Sequence, residues 1–229
     1  MSGAAPPPVL HEDAQLVAIS KPAGRIVVPG RTPGEESLRE ELEGRFGALW
    51  VVHRLDRGTS GVLVLARTAE AHRTLNLAFD AGQPRKRYLA LVRGVPAWDG
   101  LRVDVPIAKG RKGRMRPGRP GEAGAKASAT AFAVLERFPA AGLALVEARP
   151  ETGRTHQIRV HLRSAGFPLA VDPDYAEPGP LGVAGATLAR TPLHAARLEL
   201  AHPATGAPLV LEAPLPEDLE AVLAALRAA

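Results

Sequence analysis

The sequence predicts an α+β fold: a mixed, largely antiparallel central sheet with flanking helices. Three observations lead there. Apolar runs of strand length recur along the whole chain. Helical spacing is confined to a few segments. The two kinds of segment do not alternate as regular βαβ units.

Residues 1–10 are small and rich in proline, and are expected to form a flexible arm before a single domain over 11–229. Leu16-Val17-Ala18-Ile19 reads as a strand, ended by the turn signal Lys21-Pro22-Ala23-Gly24. Ser37, followed by Leu38, Leu42 and Phe46, reads as a capped helix. Trp50-Val51-Val52 and Val62 to Leu65 read as buried strands around a polar segment, His53 to Gly61. Ala69 to Phe79 is a predicted helix, with Leu75 and Phe79 four residues apart. Arg87 to Val92, Ala127 to Arg137 and Gly142 to Arg149 are strand-like. Lys109 to Lys126 combines glycine, two prolines and seven Lys/Arg without hydrophobic periodicity, and reads as a loop. Thr155 to Ala165 has helical spacing through Ile158 and Leu162, with Thr155 as the expected N-cap. Leu193 to Val210 reads as two strands around a turn at His202 to Gly206. Pro216 to Leu226 is a terminal helix with Leu219, Val222, Leu223 and Leu226 on its apolar face.

A chain of 229 residues buries roughly 70% or more of its unfolded surface without staples. It has no cysteine, which excludes a disulfide scaffold, a Cys-based zinc site, an iron–sulfur cluster and thiol catalysis. No aliphatic run approaches the ~20 residues a membrane helix needs. The first residues lack the basic and apolar regions of a secretory signal. The expectation is a cytoplasmic monomer with no membrane partner.

The net charge of +5 points to an anionic partner. Its distribution is more informative. From His53 to Arg119 there are 15 Lys/Arg against 5 Asp/Glu, and the rest of the chain is net acidic. Arginine outnumbers lysine 24 to 5. A GC-rich genome gives such a ratio without selection for function, but it does not cluster the charge. Guanidinium groups suit bidentate phosphate contacts and stacking on bases.

Two segments could carry chemistry. In His53-Arg54-Leu55-Asp56-Arg57-Gly58-Thr59-Ser60-Gly61 an aspartate stands between two arginines, which favour its ionised form. Read alone, the segment is equally an Arg–Asp–Arg surface cluster. The second is Thr152-Gly153-Arg154-Thr155-His156-Gln157-Ile158-Arg159-Val160-His161-Leu162. A Thr155 cap would leave helix N–H groups that favour an anion. The His156 to His161 spacing is not that of a zinc helix, and no metal site is expected. Read alone, this segment is also a solvated helix face with an apolar back.

Together the segments resemble the RluA-type RNA pseudouridine synthase family. His53 to Gly61 reproduces its His-Arg-Leu-Asp-x-x-Thr-Ser-Gly signature, and Gly153 to Leu162 its Gly-Arg-Thr-His-Gln-Ile-Arg-Val-His-Leu segment. Lys21-Pro22-Ala23-Gly24, Lys86-Arg87-Tyr88-Leu89-Ala90-Leu91-Val92, Leu193-His194-Ala195 and His202-Pro203-x-Thr-Gly206 are similar to further family segments in the same order. One departure stands out. Ala170-Val171-Asp172-Pro173-Asp174-Tyr175-Ala176 lies where the family has Gly-Asp and, a few residues on, Tyr-Gly, which puts the local turn in doubt. No accessory N-terminal RNA-binding domain is expected before residue 11.

The resemblance implies the pseudouridine synthase fold and an isomerase that needs no cofactor. Its substrate would be a uridine in structured RNA, with ribosomal and transfer RNA both open; small size tilts slightly toward a tRNA stem-loop. It implies that Asp56 acts on the uridine, that Arg159 pairs with that aspartate, and that Tyr88 packs against the target base. Arg54 is a candidate to fill the vacated base stack. Arg57, Lys86, Arg154 and His156 are further candidates for RNA contact, and Arg111, Lys112, Arg114 and Arg116 form an expected phosphate clamp. His53 is expected to brace the site. Two other readings compete: an RNA-binding module that has lost turnover, and a basic ribosome-associated structural protein.

Overall fold

The computed structural model describes residues 6–30, 34–176 and 179–229. In chain order the elements are β1 (Val9–Glu12), β2 (Leu16–Lys21), α1 (Leu38–Phe46), β3 (Trp50–Val51), β4 (Ser60–Ala66), α2 (Ala69–Asp80), β5 (Arg85–Arg93), β6 (Gly100–Asp104), β7 (Ile107–Lys109), β8 (Met115–Pro117), β9 (Ala129–Phe138), β10 (Leu143–Pro150), α3 (Gln157–Ser164), β11 (Leu181–Val183), β12 (Ala186–Leu188), β13 (Leu193–Ala201), β14 (Pro208–Glu212) and α4 (Glu217–Ala228). The strands pair mostly antiparallel, so the expected α+β class holds. The chain divides into two compact units, Met1–Arg85 with Ala195–Pro214, and Lys86–His194 with Leu215–Ala229.

In the first unit the strands run in the order β1-β2-β4-β13, with β3 against β4 and β14 against β13. Every residue of β4 is buried, as its unbroken apolar pattern requires. Val62, Val64 and Ala66 meet Leu16 and Ala18 of β2, Leu198 and Leu200 of β13, and Ala71 and Leu75 of α2. Helix α1 starts with a full capping box: Ser37 Oγ accepts the Glu40 N–H, and the Glu40 carboxylate accepts the Ser37 N–H. Such a cap contributes about 1 kcal/mol. Val9 and Leu10, expected in the arm, belong to β1, because Val9 pairs with Ile19 of β2 and the register shifts at Leu10 before His11 pairs with Ala18; residues 1–5 of that arm lie outside the described residues.

In the second unit the order is β5-β10-β9-β6. Alternation along the strands gives the sheet two apolar faces. Ala90, Val92, Ala144, Val146 and Phe132 pack under Ile158 and Leu162 of α3. Leu91, Leu143 and Leu145 pack under Leu219, Val222, Leu223 and Leu226 of α4. Helix α4 is thus fixed by burial of one face, whereas α3 is buried all round over residues 157–162.

Two expectations need correction. The 109–126 segment is not loop throughout. Lys109 closes β7, a 3₁₀ turn spans Arg111–Gly113, and Met115–Pro117 form β8, so part of it is an antiparallel hairpin. Ile107, fully buried beside Val160 and Tyr175, anchors that hairpin, which the polar composition concealed. Nor does Thr155 cap α3. The N-cap is His156, in the left-handed region at φ 55°, with no side-chain cap bond.

Candidate active site

In the first unit the His53 to Gly61 segment is held by its neighbours. The His53 ring stacks on Phe79 at 4.9 Å, and its Nε2 accepts the Val64 N–H at 3.0 Å. His53 thus braces the segment. The Thr59 N–H donates to the Asp56 carbonyl at 3.0 Å, closing a turn with the Asp56 side chain half-buried. Lys21 is 1% exposed. Its ammonium donates to the carbonyls of Pro22 (2.9 Å), Arg25 (2.7 Å) and Arg57 (3.3 Å). A buried cation is tolerated only with such a set of acceptors. It ties the Lys-Pro-Ala-Gly turn to the residue after Asp56, and the Gly24 N–H adds a bond to the Arg57 carbonyl at 2.8 Å. Gly61 has φ +114°, and a Cβ there would lie 2.2 Å from the Ala195 carbonyl oxygen. Only glycine allows that approach. Arg54 and Arg57 are exposed, and Arg57 pairs with Glu35.

In the second unit Tyr88 lies on β5 opposite Ala148, half-buried against the apolar cluster under α3. Two residues earlier, Lys86 reaches the Thr152 carbonyl at 3.5 Å. Burial pushes its ammonium below the usual lysine range, and the Arg154 charge adds to this. Arg154 is exposed, and its Nε donates to the Ala127 carbonyl. The start of α3 is organised by Gln157. Its Oε1 accepts from the Thr152 hydroxyl (2.7 Å) and the Arg154 N–H (2.9 Å), while its Nε2 donates to the Ala129 carbonyl and Thr130 Oγ1.

Arg159 is 5% exposed. Its Nε and Nη2 grip the two oxygens of Asp172 at 2.8 and 2.6 Å, and Nη2 also reaches Asp174 at 2.8 Å. Its guanidinium lies 4.8 Å from the Tyr175 ring centroid. Paired carboxylates and a cation–π contact are what a buried guanidinium requires. The Tyr175 hydroxyl accepts the Met115 N–H at 2.8 Å and shares a hydrogen bond with His156 Nδ1 at 2.8 Å. Burial pushes the Tyr175 phenol above its ordinary range. Asp174 is also 3.4 Å from Arg114.

Arg114, His156 and Arg159 thus converge on the Asp172–Tyr175 turn. Asp172, Asp174 and Tyr175 were not singled out by sequence as site residues. The turn that looked doubtful closes without glycine: Asp172 Oδ1 accepts the N–H of Asp174 and Tyr175, and the Ala176 N–H bonds the Asp172 carbonyl. An Asx turn replaces the flexibility that Val171 and Ala176 lack. Arg111 is exposed on the 3₁₀ turn, and exposed Arg116 pairs with Glu122. The Lys112 side chain lies outside the described residues. No group of three His, Asp or Glu side chains that could hold a metal ion occurs among the described residues.

Comparison with known proteins completes the picture. The RNA pseudouridylate synthase family matches residues 15–164. The chain belongs to that family. It is 41% identical over 235 residues to ribosomal large subunit pseudouridine synthase D of Nitrosomonas europaea, covering 98% of this chain and 66% of that protein. Identity is also 41% over 229 residues to ribosomal large subunit pseudouridine synthase C of Escherichia coli, covering 96% and 70%. The chain thus spans about two thirds of the length of these relatives. Among solved structures, human RNA pseudouridylate synthase domain containing 4 superposes with a TM-score of 0.77 at 30% identity, covering 96% of this chain and 93% of that one. The reaction class of the family is isomerisation of uridine within RNA, and the fold is the pseudouridine synthase fold.

Proposed function

We propose that this chain isomerises specific uridines of structured RNA to pseudouridine, with Asp56 as the residue that acts on the nucleoside. The observation that carries the reading is the family match together with the intact His53 to Gly61 segment. In the reaction the N1–C1′ glycosidic bond breaks, the base turns, and a C5–C1′ bond forms. C5 loses its proton and N1 gains one, so no oxidant and no second substrate enters. Asp56 acts as nucleophile or base, either of which needs the carboxylate ionised at neutral pH. Tyr88 offers a ring to stack on the base and a hydroxyl to move a proton. Arg159 supplies the guanidinium that orients the Asp56 carboxylate, a charge-assisted bond strongest away from water.

A uridine within a helix must first leave its stack, at a cost of a few kcal/mol. Exposed Arg54 is placed by sequence beside Asp56, and its planar head suits the vacated space. The RNA-binding set completes the reading: Arg57, Lys86, Arg154 and His156 with the cations of the hairpin. The relatives' names favour large-subunit ribosomal RNA as the substrate. The protein would act as a monomer in the cytoplasm. Mapping pseudouridines in cells lacking the gene tests this. One or more ribosomal positions should revert to uridine. Loss confined to tRNA would move the substrate to a tRNA stem-loop, and an unchanged map would overturn the reading.

A further inference from the structure

We infer that the concavity between the β7–β8 hairpin and α3 is a subsite for one backbone phosphate of the RNA. The inference rests on the RNA reading above and adds a residue that reading does not contain, Arg163. The concavity has a volume of about 250 Å³ and is lined by Arg111, Arg114, Arg116 and Arg163, with Met115 and Tyr175 among its walls. That space admits a phosphate with part of its sugar.

Four guanidinium groups around one opening repel each other, and the fold offsets only part of that charge. Arg116 is neutralised by Glu122, which holds it firmly protonated. Arg114 has a looser partner in Asp174, itself shared with Arg159. Arg111 and Arg163 have no carboxylate partner among the described residues. An anion entering here meets two uncommitted guanidiniums from different elements, one on the 3₁₀ turn and one in the last turn of α3. Guanidinium geometry fits a phosphate oxygen pair bidentately.

The floor is preformed. Tyr175 is buried, and its hydroxyl bonds the Met115 backbone and His156, so hairpin and helix are held at fixed separation. Arg163 lies one helical turn from Arg159 on α3, so a phosphate held by it is registered against the helix that carries the proposed catalytic arginine.

The test is RNA binding, measured by fluorescence anisotropy across a salt series for wild type, Arg163→Ala and Arg163→Lys. Binding is read without turnover, so an inactive but RNA-binding chain still tests the subsite. Arg163→Ala should lower the slope of log affinity against log salt by about one, the loss of one phosphate contact. Arg163→Lys should restore most of that slope. In a stem-loop carrying single neutral methylphosphonate linkages, one linkage should weaken wild-type binding and leave Arg163→Ala unaffected. An unchanged slope, or no linkage whose effect depends on Arg163, would overturn the subsite. So would an Arg163-dependent heat of binding for inorganic phosphate alone with RNA affinity unchanged, which would assign the concavity to a free anion.

Discussion

Arg159 and Asp172 form a buried two-pronged ion pair, with N···O distances of 2.8 and 2.6 Å and Asp172 only 1% exposed. The pair joins α3 to the turn before β11. Asp172 is fully satisfied, because two backbone N–H groups of its own turn also donate to it. Asp172→Ala removes the two-pronged partner of a buried guanidinium and should destabilise the fold by about 3 kcal/mol. Urea denaturation checks this. A change below about 1 kcal/mol would contradict it.

Lys21→Met keeps the side-chain length and removes the ammonium. The Pro22 and Arg25 carbonyl oxygens then lose the ammonium inside the protein, and the Arg57 carbonyl keeps only its Gly24 N–H. The expected cost is about 2–3 kcal/mol. Activity should fall further than stability, since the tie next to Asp56 is lost. Denaturation and turnover measured on the same variant separate the two effects.

Gly61→Ala places a methyl group 2.2 Å from the Ala195 carbonyl oxygen at a backbone angle that L residues rarely adopt. The atoms it meets are all Ala195 backbone, not a flexible side chain, so the strands must part. A loss of about 3 kcal/mol or more is expected. A melting temperature within 2 °C of wild type, on the order of 0.5–1 kcal/mol for a chain of this length, would contradict it.

His161 gives a pH signature. Its ring is fully buried: Nε2 donates to the Val105 carbonyl at 2.9 Å, and Nδ1 accepts from the Thr130 hydroxyl at 2.9 Å. Burial pushes the imidazole below its ordinary value of 6.5, against the opposing pull of the Val105 bond. The unfolded chain therefore takes up a proton first as pH falls. Stability contributed by neutral His161 is complete above about pH 6.5 and is lost progressively below it. His161→Gln should be less stable at pH 8 and should flatten the decline between pH 6.5 and 5, as read from denaturation midpoints.

These residues also show what the sequence could and could not reveal. Apolar periodicity located β2, β4, β5, α2 and α4, because burial of one or both faces leaves a direct pattern. The Ser37 cap was legible because it is local, while the return bond from Glu40 was not singled out. The β7–β8 hairpin was not, since its anchor is one buried residue, Ile107, amid glycine and arginine. Thr155 has the chemistry of a cap, yet His156 takes the position, because its Nδ1 is engaged by Tyr175 from 19 residues away. Asp172 was visible only as a departure from a motif. Its role depends on a partner 13 residues earlier and on burial, neither of which a single sequence displays.

The most direct measurement is tritium release from RNA labelled at uridine C5, since forming the C5–C1′ bond expels that hydrogen. The wild-type chain should release tritium from ribosomal RNA. Asp56→Asn should release none while keeping its RNA affinity and denaturation midpoint. Release that persists in Asp56→Asn, or none from the wild type with any cellular RNA, would contradict the account.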